Sequence, residues 1–245
     1  MMKIDALTTL LGSAFVAVGL SGPVMADDAS SPVVVELFTS QGCSSCPPAE
    51  TFLGELVDRD GVVALEYHID YWDYIGWEDP YAEPVFTDRQ RRYAVQLGSR
   101  YVYTPQMVIN GTAHEVGSDR SAILALIDQS RRLQHDNPVI EIAPMAEGSK
   151  TVDLSISGPE PAVPHDIVMV TYDATHRTEV KRGENRGMVL ENRNVVRALA
   201  KIGEWRGGSM KKSVDVSGMA GDGGCAVLIQ QPDSGPILAA AKAAY

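Results

Sequence analysis

The sequence holds three cysteines in 245 residues, Cys43, Cys46 and Cys225, too few to staple a chain of this length as a disulfide scaffold. Basic residues are also scarce: 21 Lys and Arg against 32 Asp and Glu give a net charge of −11, which argues against nucleic acid or an anionic membrane surface as a partner. Beyond the N-terminus no apolar run is long enough to span a bilayer. The single Cys-x-x-Cys is joined by no second one and by no paired histidines, so it supplies half of a four-ligand zinc site. A nucleophile elbow for Ser-His-Asp chemistry, a glycine-rich phosphate loop, an internal repeat and a low-complexity tract are all missing. The expectation is a protein without organic cofactor or resident metal.

What is present is globular in composition, 44% hydrophobic and 22% charged. The first 26 residues read as a signal peptide. Lys3 gives a weakly basic start, residues 6–20 form an apolar stretch, and Val24-Met25-Ala26 ends it with a cleavage pattern. The expected location is therefore periplasmic or secreted, with no membrane span once the signal is removed. No cysteine follows the apolar stretch, which argues against a lipoprotein.

Residues 33–50, VVVELFTSQGCSSCPPAE, organise the rest. Val33, Val34, Val35, Leu37 and Phe38 read as a buried strand. Thr39 to Gly42 form a polar turn, and Cys43-Ser44-Ser45-Cys46 opens a helix marked by Pro47 and Pro48 in its first turn. Thiol–disulfide chemistry needs this order. Cys43, beside unpaired N–H groups at the positive end of a helix, is the expected attacking thiolate, and Cys46 the resolving thiol. Two other readings of the pair stay open: a fixed structural disulfide in a binding protein, and capture of a metal such as copper. Cys225, in an apolar strand, reads as a buried inert thiol.

Residues 62–70 read as a second strand, parallel to the first through the intervening helix. Parallel strands bring their C-terminal ends to one edge of a sheet, where ligands of open α/β sheets usually sit. The aromatic loop after Asp70 leaves the second strand at that edge, so Trp72, Asp73, Tyr74 and Trp77 are expected to flank the cysteines and shape a substrate surface. A helix is expected from a capping box at Thr87, with Arg89, Arg91 and Arg92 on a solvated face. Tyr103-Thr104-Pro105 then enters a strand, Asn110-Gly111 makes a hairpin turn, and Ser118 caps a helix carrying Ile123, Leu126 and Ile127.

The segment from about residue 33 to 133 resembles the thioredoxin superfamily. ELFTSQGCSSCPPA, YHIDYWDYIGW, VYTPQMVING and RGENRG are together similar to a family of secreted bacterial proteins catalogued only as a domain of unknown function. The resemblance implies a cis Pro105 facing the disulfide, with Thr104 beside it helping to hold an extended substrate chain. It also places Glu36, one residue out of step, at the buried carboxylate that takes the proton of the resolving cysteine. The implied activity is exchange of disulfides with protein thiols. Two family positions differ here, since Ser44-Ser45 lie between the cysteines and no Trp precedes Cys43, so the direction of electron flow is left open.

Past residue 138 short β-rich runs recur at residues 139–142, 151–157, 167–172, 195–202, 213–216 and 225–230, divided by Gly- and Pro-rich turns. This spacing predicts a mainly antiparallel β-sandwich. The expected organisation is a thioredoxin-like α/β domain over residues 31–134 and a β-rich domain over 138–245. The polar loop from Arg182 to Gly187 reads as solvated, with a binding role as the alternative.

Overall fold

The computed structural model describes residues 31–134, 137–144 and 149–245. The expected signal peptide, residues 1–26, lies outside the described residues.

The two-residue period of the first strand sets the layers. In β1 (Val33–Thr39), Val33, Val35 and Leu37 pack with Ala49, Phe52, Leu53 and Leu56 of α1 (Pro47–Val57) and with Ile123 and Ile127 of α3 (Arg120–Leu133). Val34 and Phe38 turn the other way, into a core shared with Phe86 and Tyr93 of α2 (Pro84–Gln96). With both faces covered, the strand is apolar almost throughout, as buried parallel strands are. β2 (Val62–His68) lies parallel to it, from Val33 opposite Val62 to Thr39 opposite His68. β3 (Gln106–Ile109) and β4 (Ala113–Val116) complete this half as an antiparallel pair. Their turn uses Asn110 and Gly111 at φ 46° and 65°, both left-handed as a two-residue hairpin requires. Gly111 has a second reason to be glycine, because a Cβ there would sit 2.6 Å from the carbonyl oxygen of Gly235.

Two expectations about α2 are corrected. It starts at Pro84, three residues before Thr87, because a proline is tolerated in the first turn. The Thr87 hydroxyl instead donates to the Asp70 carboxylate at 2.6 Å and accepts from the Asp70 N–H. Arg89, expected on a solvated face, is buried, while Arg91 is exposed. On α3 the cap is Asp119, whose carboxylate accepts from the Ala122 N–H, and not Ser118.

The C-terminal half contributes β5 (Val139–Ile142), β6 (Thr151–Ser157), β7 (His165–Glu179), β8 (Val189–Trp205), β9 (Met210–Asp215), β10 (Gly224–Gln230) and β11 (Ile237–Ala244). The molecule is a mixed α/β fold dominated by one eight-stranded sheet, ordered β11-β10-β7-β8-β2-β1-β3-β4, with a three-stranded sheet β5-β6-β9 beside it. The expected sandwich is thus only part of what forms. Its larger layer is continuous with the first half, because β8 lies along β2 with Val195 opposite Glu66. Without β8, β2 would be an unpaired edge with apolar residues on both faces. Its smaller layer, through Ile140, Val152, Leu154, Ile156 and Val214, covers Ile167, Met169, Val227 and Ile229 of the large sheet. No helix among the described residues is long and apolar enough to cross a membrane.

Candidate functional site

At the end of β1 the chain turns through Ser40, whose carbonyl accepts from Cys43 N–H at 3.0 Å and whose hydroxyl accepts from Gly42 N–H at 3.0 Å. Cys46 caps α1 and is disulfide-bonded to Cys43, with their Cα atoms 5.4 Å apart. A three-residue separation at a helix start places the two Cα atoms within reach of a disulfide. Cys43 is 1% exposed and Cys46 0%, so the bond lies just below the surface, under Ser44 and Ser45, which are exposed. The Cys43 sulfur touches the Ser45 hydroxyl at 3.3 Å and accepts from Thr104 Oγ1 at 3.4 Å.

Thr104, joined to Pro105 by a cis bond, stands at the entry to β3 with its hydroxyl on the Cys43 sulfur. Two of the four residues expected from the aromatic loop come to the site. Trp72 Nε1 donates to Thr104 Oγ1 at 2.7 Å, one atom removed from the Cys43 sulfur. Trp77 Nε1 donates to Gln41 Oε1 at 3.2 Å, in the turn before Cys43. Asp73 instead turns back into its own loop, accepting from Asp79 N–H, and Tyr74 is 81% exposed, stacked outside Trp72.

Glu36 is not beside Cys46. It lies on the Val34 and Phe38 side of β1, opposite α1, where Arg89 Nε and Nη2 clamp its carboxylate at 2.8 and 3.2 Å and the Tyr93 hydroxyl donates to it. The one-residue offset from the family pattern is the physical reason, since a shift of one residue in a strand reverses the face. A buried carboxyl on the α1 side is Glu50, one helical turn after Cys46, with its N–H on the Cys46 carbonyl at 3.1 Å. Helix side chains lean toward the N-terminus, which aims this carboxyl back toward the cysteine turn, where it accepts from Thr39 Oγ1 at 2.7 Å. Burial first, then the neighbouring Glu66 carboxylate, pushes its pKa up to about 8, against the pull of His68 and the Thr39 hydrogen bond. The sequence signal for it was the spacing Cys46-x-x-x-Glu50 on a helix.

Glu50 belongs to a buried polar layer under the turn. His68 Nδ1 lies 2.8 Å from Asp79 Oδ2 and its Nε2 3.5 Å from Glu66 Oε1. Burial alone would make His68 give up its proton, but the Asp79 and Glu66 carboxylates outweigh it and hold the ring charged well above the usual range. In return His68, overcoming desolvation, keeps Asp79 below the ordinary carboxylate range. Asp79 also takes the Gln41 N–H at 2.7 Å, and Asn192 of β8 donates to Glu66 at 2.7 Å.

The loop from Arg182 to Gly187, between β7 and β8, is expected to be solvated, and its centre is buried instead. Asn185 is buried, and its amide donates to the carbonyls of Gln41 and Cys43, both at 2.9 Å. The Glu184 carboxylate accepts from the Ser44 N–H at 3.1 Å. No local pattern in the sequence signals this contact, which spans about 140 residues of chain. Cys225 is fully buried in β10, where desolvation raises its thiol pKa. Among the described residues no group of three or more His, Cys, Asp or Glu side chains is arranged to hold a metal ion.

No curated protein matches the chain. A crystal structure of a protein from Agrobacterium tumefaciens, a structural-genomics target, is similar at 33% identity and a TM-score of 0.75, over 87% of this chain and 94% of that one. A family model matches residues 34–230, from the second residue of β1 to the end of β10, and so spans both halves of the large sheet. The chain belongs to the family described as Protein of unknown function (DUF1223).

Proposed function

We propose that this protein is an exported thiol–disulfide oxidoreductase of thioredoxin-like type, exchanging disulfides with protein thiols through Cys43 and Cys46. The observation that carries the reading is the disulfide at the β1–α1 junction, with Thr104 on the Cys43 sulfur and a protonatable Glu50 one turn behind Cys46. The reading is also supported by a cis Pro105 followed by the antiparallel pair β3 and β4 and then α3.

In the oxidising direction a client thiolate attacks the Cys43 sulfur, forming a mixed disulfide and breaking the Cys43–Cys46 bond. The electron pair leaves on Cys46, and Glu50, still protonated near neutral pH, supplies the proton. A second client thiolate then attacks the client sulfur and releases Cys43 as thiolate, stabilised by the positive end of α1. The client loses two electrons and the protein gains them. The reducing direction is the same path reversed, with Glu50 carboxylate accepting the Cys46 proton.

Cys46→Ser should accumulate mixed disulfides with client proteins under thiol-oxidising conditions, and Cys43→Ser should not. Equal trapping by both variants would defeat the assigned roles. One observation favours a second reading: with Cys43 1% and Cys46 0% exposed, the bond suits a structural staple in a binding protein. Trapping by neither variant, with a reduction potential below about −300 mV, would select it.

A further inference from the structure

Beside the disulfide lies an open cleft of about 590 Å³ lined by Ile75, Lys181, Arg182, Gly183, Glu184 and Arg186. It is joined to the cysteine turn at three points. Ile75 Cδ1 lies 3.1 Å from where a Cβ on Gly42 would stand, Glu184 holds the Ser44 N–H, and Asn185 holds the Cys43 carbonyl. In a chain with a net charge of −11, three cations within six residues are a local reversal of sign. Lys181, Arg182 and Arg186 are exposed, and among the described residues none of them forms an ion pair. The one acid of the lining, Glu184, accepts from the Ser44 N–H, so three cations face a single carboxylate that is held by the cysteine turn.

The loop that carries the cations is fixed before any partner arrives. Val180 N–H donates to the Met188 carbonyl at 2.9 Å, Gly187 N–H to the Val180 carbonyl at 2.8 Å, and Met188 N–H to the Asn185 carbonyl at 3.0 Å. Gly183, at φ 73°, packs its backbone against Trp77, where a Cβ would come within 3.2 Å of the Trp77 Cβ. A prefixed loop loses little freedom on binding. Solvent-facing guanidinium groups on it match carboxylates in bidentate pairs.

We propose that this cleft selects the client: it docks an acidic polypeptide segment, with carboxylate side chains flanking the cysteine that exchanges with Cys43. The proposal rests on the redox reading above for the exchange step, and on the cleft alone for the docking. The charge of the rest of the molecule repels such a segment at long range, so recognition is confined to this one patch and a misplaced acidic chain is turned away.

The test uses two synthetic peptides, one with a central cysteine between pairs of glutamates and one between pairs of lysines, plus versions of each with serine for cysteine. Serine peptides report docking by fluorescence anisotropy, and cysteine peptides report exchange with the oxidised protein. The acidic serine peptide should bind about tenfold tighter than the basic one, and the difference should fade as salt is raised to about 0.5 M. Lys181→Ala, Arg182→Ala and Arg186→Ala together should remove it, and the three Glu substitutions should reverse it. Equal binding of both peptides, or a preference untouched by the triple variant, would overturn the proposal. Exchange that is fast but equal for both cysteine peptides would also overturn it while leaving the redox reading standing. Acid-selective docking without exchange by either peptide would remove the redox reading and keep the cleft as a docking site.

Discussion

Glu50 is where single-residue chemistry is most exposed to measurement. It is buried in α1 beside Glu66, and its carboxyl titrates near 8 where an ordinary glutamate titrates near 4.5. Between those values the folded protein keeps a proton that the unfolded chain has released. The stabilisation this gives is complete below about 4.5 and is lost as pH rises through about 8. Glu50→Gln keeps the shape of the neutral acid and cannot ionise, so its stability should lack that decline. Urea midpoints of wild type and variant from pH 5 to pH 9 should diverge by on the order of a few kcal/mol, the wild type falling relative to the variant. Parallel curves would mean that Glu50 ionises freely, and would withdraw it as the proton partner of Cys46. The difference between the two curves reports Glu50 together with its coupling to His68 and Asp79, since charges that act on Glu50 are acted on by it in return. Glu50 was legible only as a residue one turn beyond Cys46. Burial does most to raise its pKa, and the Glu66, His68 and Asp79 groups that act next come from β2 and the loop after it, which no local pattern brings together.

At the level of elements, the Glu36–Arg89 pair fastens α2 to β1. Arg89 also donates to Gln230 of β10 at 3.0 Å and to Tyr93 OH at 2.9 Å, and its guanidinium lies over the Tyr93 ring at 5.0 Å. Three elements from distant parts of the chain thus meet on one buried charge. Arg89→Ala strands the Glu36 carboxylate in the core and should cost about 3–5 kcal/mol, read as a shift of the urea midpoint. Glu36→Leu combined with Arg89→Met removes both charges at similar volume and should recover most of that loss. A double variant as unstable as Arg89→Ala would show that the Gln230 and Tyr93 hydrogen bonds, more than the charge pair, hold α2 in place. The helix itself was visible in the sequence. Its buried arginine was not, because the charge of a residue says nothing of a partner 53 positions away.

For the whole molecule the decisive feature is that one core runs across both halves. Val34, Phe38, Val63 and Leu65 from the first half share it with Val168, Val170, Val196, Ala226, Leu228 and Ile237 from the second. β8 supplies the ladder partner of β2, the Asn192 bond to Glu66 and an Asn194 bond to the Ala64 carbonyl at 2.9 Å. A fragment ending at Leu133 would expose these apolar side chains and strip the buried Glu66 carboxylate of its bonds from Asn192 and the Arg193 N–H. The expected result is a fragment without a cooperative urea transition and with little hydrogen-exchange protection in β2. A cooperative fragment with protected β2 amides would show that the first half is a domain in its own right. The same continuity carries the loop with Asn185 and the basic cleft back to the cysteines.

The sequence by itself determined the elements whose cause is local. Apolar runs made β1 and β2, the two prolines placed the start of α1, Asn110-Gly111 made the hairpin, and a three-residue spacing put Cys43 within reach of Cys46. Tertiary structure decided whatever depended on a distant partner or on which face a residue met. It sent Glu36 to Arg89 and brought Glu50 under the cysteine turn. It made a strand of the alanine-rich β11, a composition that favours helix in isolation, because pairing with β10 buries Ala239 and Ala240. It also carried Asn185 onto the Cys43 carbonyl. Turn geometry, helix starts and periodicity act over a few residues and can be read in order along the chain, whereas burial, charge pairing and long-range hydrogen bonds act between surfaces that exist only after the sheet has closed.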